Sequence, residues 1–190
     1  MSRILIVDDV YTDKEIQQIE FDYQRYFPWY YTHGSNLDDE DDSVVFFVDD
    51  KRSKWTKNLE PTLFKDFYRT TQLLSDFEMN SKVKVKSVSR SYLNGHTYGL
   101  DGGWHVDDDL NIGDEYLYYT ILYMMNSGDT SGIGGFEYID PDIPKVQKID
   151  FKSGRFIMFP SEWEHRGLST TVKNKMRVTL AYKKCEVEFL

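Results

Sequence analysis

After residue 82 the chain reads as one short strand after another, and this pattern limits the fold more than any other feature. Lys82-Val83-Lys84-Val85-Lys86 alternates strictly between charged and apolar residues, the mark of a half-buried strand. Strand-like stretches run over about 82–93, 97–107, 116–126, 135–139, 146–151, 155–160 and 175–183. Turn-forming residues sit between them at Asn94-Gly95, Gly102-Gly103, Asn111-Ile112-Gly113, Ser127-Gly128, Gly132 to Gly135, and Ser153-Gly154. Some seven or eight short strands of this kind, roughly counted, make a β-sandwich or jelly roll.

The front of the chain has a different rhythm. Ile4-Leu5-Ile6-Val7 is a short apolar run that reads as a strand. Thr12 and Glu15 form a capping box, and Ile16, Ile19 and Tyr23 recur at helical spacing, so 12–26 is expected to be a helix that stops at Phe27-Pro28-Trp29. Val44 to Val48 reads as an edge strand. Leu63, Phe64, Phe67, Leu73, Leu74 and Phe77, with Pro61 near the start, give a second helix over about 60–77. The run Asp38, Asp39, Glu40, Asp41 and Asp42 is a solvated loop, since it lacks the turn glycine and ligand spacing of a calcium loop. Lys82, Lys84 and Lys86 suit a solvated strand face or a guarded sheet edge better than a nucleic-acid patch. There is no internal repeat and no linker. The expectation is a mainly β chain with N-terminal helices (α+β): a single domain over 1–190, with a helical buttress and N-terminal strand in 1–80 and the sandwich in 81–190.

Composition matters chiefly for what it excludes. A net charge of −9, from 32 acidic and 23 basic residues, disfavours sequence-independent binding to nucleic acid or to an anionic membrane surface. The lone Cys185 has no internal partner, which fits a reducing compartment. With no secretory leader at the front and no run approaching about 18 apolar residues, the chain reads as cytoplasmic.

The chemistry lies in Trp104-His105-Val106-Asp107 and in His165. On a strand, residues i and i+2 share a face, so His105 and Asp107 can reach one metal while Val106 turns away. His165 follows after room for several strands to return a third ligand to the same place. Two histidines and a carboxylate on one side of a metal, with other positions open, are the ligand set of non-haem Fe(II) oxygenases. In Met176-Arg177-Val178-Thr179-Leu180-Ala181-Tyr182, the residues Val178, Leu180 and Tyr182 make a bulky face suited to packing on helices. Arg177, Thr179 and Ala181 make a small face with one guanidinium, whose fork matches a carboxylate.

The region from about 83 to 184 resembles the Fe(II)/2-oxoglutarate-dependent oxygenases, and among them the prolyl 4-hydroxylase-like group. Ser91-Tyr92-Leu93-Asn94-Gly95-His96-Thr97-Tyr98 is similar to that group's lead-in to the first metal histidine. His105-Val106-Asp107 resembles its His-x-Asp. Ile121-Leu122-Tyr123-Met124-Met125-Asn126 with Gly134-Gly135-Phe136 resembles its hairpin. Gly154-Arg155-Phe156-Ile157-Met158-Phe159-Pro160 followed by His165 looks like its distal histidine strand, and Arg177-Val178-Thr179-Leu180 like its closing strand.

The resemblance implies a double-stranded β-helix with iron held by His105, Asp107 and His165. It also implies 2-oxoglutarate chelating that iron and pairing its distal carboxylate with Arg177, dioxygen as oxidant, and ascorbate as an auxiliary reductant. The reaction it implies hydroxylates an unactivated C–H bond, most simply on a prolyl residue of a protein or peptide, and releases succinate and CO₂. Anchoring the hairpin on Asn126 puts Met124 where the group carries its cosubstrate-binding tyrosine and turns Tyr123 to the other face. The second contact to the distal carboxylate is thereby left among Tyr92, Tyr98, Tyr123 and Thr179.

Other readings of the same residues are the same chemistry on a free amino acid or other small molecule, a His-Asp-His zinc hydrolase, and a cupin-like binding module without turnover. His33 and His96 read as surface or loop histidines. Trp104 and Trp163 read as packing residues beside the ligand loops, and Arg155 and Arg166 as solvated loop charges.

Overall fold

Thr12 and Glu15 start the first helix as a reciprocal pair: the Glu15 carboxylate accepts the Thr12 N–H at 2.8 Å and the Thr12 hydroxyl accepts the Glu15 N–H at 3.4 Å. This helix, α1 (Asp13–Tyr26), buries Ile16, Ile19 and Tyr23 along one stripe. In this computed structural model, residues 4–26, 30–32, 45–47, 68–107 and 117–190 are described. Residues 27–29, His33, the acidic run at 38–42 and residues 108–116 lie outside them, as does the expected start of the second helix near 60. That helix, α2 (Tyr68–Ser81), buries Thr70, Leu73 and Phe77 and runs past the expected end at 77. It stops at Lys82, whose φ of 57° is a left-handed helix terminus. Arg69 of α2 pairs with Asp22 of α1 at 2.6 Å, joining the helices. Among the described residues no helix is long and apolar enough to cross a membrane.

The strands are β1 (Leu5–Val7), β2 (Tyr30–Thr32), β3 (Val45–Phe47), β4 (Val83–His96), β5 (Tyr119–Met124), β6 (Phe136–Asp140), β7 (Ile143–Ile149), β8 (Phe156–Pro160), β9 (His165–Gly167) and β10 (Arg177–Phe189). They form a five-stranded sheet in the order β1-β8-β5-β10-β4, a three-stranded sheet in the order β7-β6-β9, and the separate pair β2-β3. Every pairing is antiparallel. The larger sheet is the middle layer. Its outer face carries Ile121, Tyr123, Phe156, Met158, Val178, Leu180 and Tyr182 against Ile19, Tyr23, Leu73 and Phe77 of the helices. The Tyr182 hydroxyl reaches through to donate to the Thr70 carbonyl at 2.7 Å. The inner face carries Tyr92, Leu122, Met124, Ile157, Phe159 and Ala181 against Phe136 and Ile149 of the smaller sheet. This is a jelly roll buttressed by helices on one face, as the strand rhythm required.

Three strand expectations need correction. Asn94-Gly95 makes no turn, because β4 runs on to His96 with Asn94, Gly95 and His96 paired to Thr179, Val178 and Arg177. The stretch 97–107 is not a strand: it touches the 165–170 segment at separate points, with Gly99 N–H to Thr170 O at 3.2 Å and Gly102 N–H to Gly167 O at 2.9 Å. The short strand β9 went unread, since three residues carry too little alternation to register.

Candidate metal centre

His105 and His165 form an isolated antiparallel bridge between the 97–107 segment and β9. Asp107 is held next to them by its N–H, which donates to Ser161 O at 2.8 Å. His105 and Asp107 thus share a side through local extended backbone, without a full strand. Their ligating atoms converge: His105 Nε2 lies 3.5 Å from one Asp107 oxygen and His165 Nε2 lies 3.4 Å from the other. The three groups offer atoms all within 4.8 Å of one another. Cis ligands about 2.1 Å from one octahedral ion stand about 3 Å apart, so small shifts would close this set on a metal.

The tautomers suit that task. His105 Nδ1 lies 2.9 Å from Gly103 O and His165 Nδ1 lies 2.7 Å from Trp163 O. A carbonyl only accepts, so both Nδ1 atoms carry the proton and both Nε2 lone pairs face the centre. Burial lowers the His165 pKa, with the Asp107 carboxylate opposing, which favours the neutral ligand form. Thr120 donates its hydroxyl to Asp107 Oδ2 at 2.6 Å.

Arg177 enters from the inner face of β10. Asn126 fixes the strand there: its side chain donates to Met176 O at 2.8 Å and accepts the Val178 N–H at 2.6 Å, clasping the backbone on both sides of Arg177. The guanidinium is buried, its Nε has no hydrogen-bond partner, and among the described residues no carboxylate pairs with it. Burial pulls its pKa down to about 10, with the Asp101 charge opposing. A buried cation in this state is costly unless an anion arrives from outside. Gly167 makes the room: a Cβ there would stand 2.6 Å from Arg177 Nη1. One pocket is lined by the two histidines, Arg177, Thr179 and Tyr92, with Leu122 and Phe136 as apolar walls. These residues fit iron together with a dicarboxylate.

The structure redistributes the candidates for the second carboxylate contact. Tyr92 and Thr179 line the pocket. Tyr123 does not: it packs in the helix-side core against Phe156 at 4.8 Å, because alternation along β5 turns Leu122 and Met124 inward instead. Tyr98 is half exposed beside a separate surface cavity, under Lys173. His96 is a correction in the other direction, being buried and on the pocket wall. Burial, and then the neighbouring Arg177 charge, push its pKa down to about 3. Arg155 is bonded by both forks to Asp8, and Arg166 pairs with Glu137 at 2.8 Å while covering Trp104. Trp163 is buried and stacked on Tyr138. Cys185 is buried, which pushes its thiol up to about 12.

Sequence reasoning missed Lys183. It is buried on the pocket wall and ion-paired with Asp107 Oδ1. Burial opposes its charge, but the Asp107 carboxylate outweighs burial and raises its pKa. Asp107 answers in kind: burial would raise its pKa, yet the Lys183 charge holds it well below the usual carboxylate range. Carrying the inner-face alternation of Arg177, Thr179 and Ala181 one step further would have found this lysine.

The known structures with similar folds bear on this site. A prolyl hydroxylase from Trichoplax adhaerens, in complex with a hypoxia inducible factor oxygen degradation domain peptide fragment, has a TM-score of 0.58 at 17% identity, over 96% of this chain and 84% of that one. A 2OG-Fe(II) oxygenase family oxidoreductase from Burkholderia pseudomallei has a TM-score of 0.59 at 14% identity, over 99% and 86%. The chain has the fold of the Fe(II)/2-oxoglutarate oxygenases. A Pseudomonas putida prolyl-4-hydroxylase shares this oxygenase fold, with a TM-score of 0.57 at 10% identity over 96% and 92%. No family model and no curated protein matches the sequence. The oxygenase fold therefore rests on three-dimensional likeness, and the reading of the site rests on its own geometry.

Proposed function

We propose that this chain is an Fe(II)- and 2-oxoglutarate-dependent dioxygenase that hydroxylates an unactivated C–H bond, with a prolyl residue in a polypeptide as the group modified. One observation carries the reading: a triad with both Nε2 atoms presented lies beside a pocket wall with a buried arginine that, among the described residues, pairs with no carboxylate. Bound iron would supply dioxygen activation, and 2-oxoglutarate the two electrons that complete the reduction, leaving succinate, CO₂ and a hydroxylated product.

The chain's own residues do the positioning. His105, Asp107 and His165 hold the metal from one side and leave the remaining positions open. Arg177 takes the distal carboxylate through its fork, and Thr179 and Tyr92 on the wall of the same pocket are the candidates to add a hydroxyl. Leu122 and Phe136 keep water from the centre. A zinc hydrolase reading gives the buried Arg177 on the pocket wall nothing to do. The peptide-bound Trichoplax neighbour supports a polypeptide as the partner class.

The test is to incubate the iron-loaded protein with 2-oxoglutarate and proline-containing peptides, then follow succinate release and a +16 Da gain on proline. Succinate release with oxidation only of free amino acids or other small molecules would remove the prolyl assignment and keep the dioxygenase.

A further inference from the structure

Asp107 belongs to no strand, yet its carboxylate has to meet a metal at a fixed angle. The bridge that spaces His105 from His165 ends two residues before it, so Asp107 depends on contacts of its own. Ser161, directly after β8, supplies the first: its carbonyl accepts the Asp107 N–H at 2.8 Å. Ser161 is itself tied into the larger sheet, its N–H donating to Tyr118 O at 2.9 Å.

The side chain is held from the same source by a longer route. Thr120 Oγ1 lies 2.6 Å from Asp107 Oδ2, and Ser161 Oγ lies 3.0 Å from Thr120 Oγ1. Thr120 has one hydroxyl proton to give, and a carboxylate only accepts. That proton therefore goes to Asp107, and the second contact is Ser161 donating to Thr120. The sheet sets this order of residues. Thr120 of β5 pairs with Phe159 of β8, so Ser161, two residues further on, is its diagonal neighbour on the same face. Both side chains are fully buried, and neither hydroxyl is left without a partner. Ser161 thus grips Asp107 twice, at the main chain through its carbonyl and at the side chain through Thr120.

The second grip does what the first cannot. His105 Nε2 lies 3.5 Å from Asp107 Oδ1 and His165 Nε2 lies 3.4 Å from Oδ2, so the carboxylate faces one histidine with each oxygen. A bond to the backbone leaves the group free to turn about Cβ–Cγ; a bond to Oδ2 stops that turn. Lys183 meets the other oxygen, and the variants below leave it in place. We propose that Thr120 and Ser161 are positioning residues of the metal centre, a buried chain of two hydroxyls that sets the plane of the Asp107 carboxylate before a metal arrives. The assignment rests on the metal reading above and adds to it two residues that stand behind the ligand. Losing a hydrogen bond that orients a metal ligand costs about 10–100-fold in metal affinity.

A role in packing alone would need only the volume of these side chains, and valine has nearly the shape of threonine without its hydroxyl. The experiment therefore titrates Mn(II) into the full-length protein, reading free Mn(II) by electron paramagnetic resonance, for wild type, Thr120→Val, Thr120→Ser, Ser161→Ala and the Thr120→Val/Ser161→Ala pair. Thr120→Val is expected to bind Mn(II) about tenfold or more weakly, and Thr120→Ser, which keeps the donor, to stay within about threefold of wild type. Ser161→Ala should weaken binding in the wild-type background and change nothing further beside Thr120→Val, because it acts through that hydroxyl. The visible spectrum of bound Co(II), which reports ligand geometry, should shift in Thr120→Val and return in Thr120→Ser. A smaller loss in Thr120→Val, equal losses in the valine and serine variants, or additive losses in the pair would overturn the proposal. Thr120→Ala replaces the valine variant should that one not fold. A wild type that binds no Mn(II) would sink the metal centre itself, a result distinct from failure at Thr120 and Ser161.

Discussion

His105 and His165 exchange both backbone hydrogen bonds, His105 N–H to His165 O at 3.1 Å and His165 N–H to His105 O at 2.9 Å. The two ligands are therefore spaced by peptide groups, and their side chains need only point. Replacing either imidazole leaves this bridge intact. His105→Ala, His165→Ala and Asp107→Ala should each fold, lose at least about 100-fold in Mn(II) affinity, and lose 2-oxoglutarate turnover. Circular dichroism alongside the metal titration checks both halves. Full metal affinity in any one variant would remove that residue from the triad.

Arg177→Met should leave metal affinity near wild type while raising the 2-oxoglutarate requirement by about two decades or more. Losing one partner of a buried charge pair costs about 3–5 kcal/mol. Calorimetric titration of 2-oxoglutarate into the Mn(II)-loaded variant gives the number, and an unchanged affinity would make the arginine purely structural.

Gly167→Ala tests the same cradle from the other side. The new methyl would meet the guanidinium tip, the far end of a flexible side chain, and would displace it without rebuilding the sheet. Thermal stability should fall by no more than about 1 kcal/mol, within the usual range for a single substitution. Affinity for 2-oxoglutarate should fall about tenfold, a modest energy loss for a shifted charge contact. Unaltered affinity would mean that the arginine fork does not need its present place.

The acid limb of stability should carry a signature of His96. Its pKa is about 3 in the folded protein, against 6.5 for the unperturbed residue. Below pH 6.5 the unfolded chain takes up a proton that the folded chain refuses, so stability falls as pH drops from about 6.5 towards 3, by roughly 1 kcal/mol per unit. Burial depresses His165 in the same direction, so the comparison must be with His96→Phe, which should flatten part of the limb. Melting temperatures at pH 7, 6, 5 and 4 for both proteins decide it. Parallel curves would show that His96 takes its proton freely.

Much of this site was legible because it depends on period-two alternation. Val178, Leu180 and Tyr182 read as a packing face and are one; Arg177 and Thr179 read as a cavity face and line the pocket. The same rule turned Tyr123 away from that cavity. What alternation cannot register is a break in itself. The β-bulge at Lys183 and Lys184, where β10 pairs with β5 through Tyr182 and next through Cys185, turns the alternation over only beyond Lys183, and no glycine marks it. His96 was misread because Asn94-Gly95 carries a strong turn signal that pairing with β10 overrides.

β10 writes its two duties on alternate residues: even-numbered side chains from 178 to 182 grip the helices, and odd-numbered ones from 177 to 183 lie on the pocket side. Point substitutions can therefore revise specificity at odd positions while the grip stays untouched. An insertion or deletion within the strand has no such latitude, because a shift of one residue exchanges the two scripts, sending pocket side chains among the helices and helix-gripping ones into the pocket. In a lineage of such chains, length changes should collect in the connecting loops and leave this strand's reading frame alone.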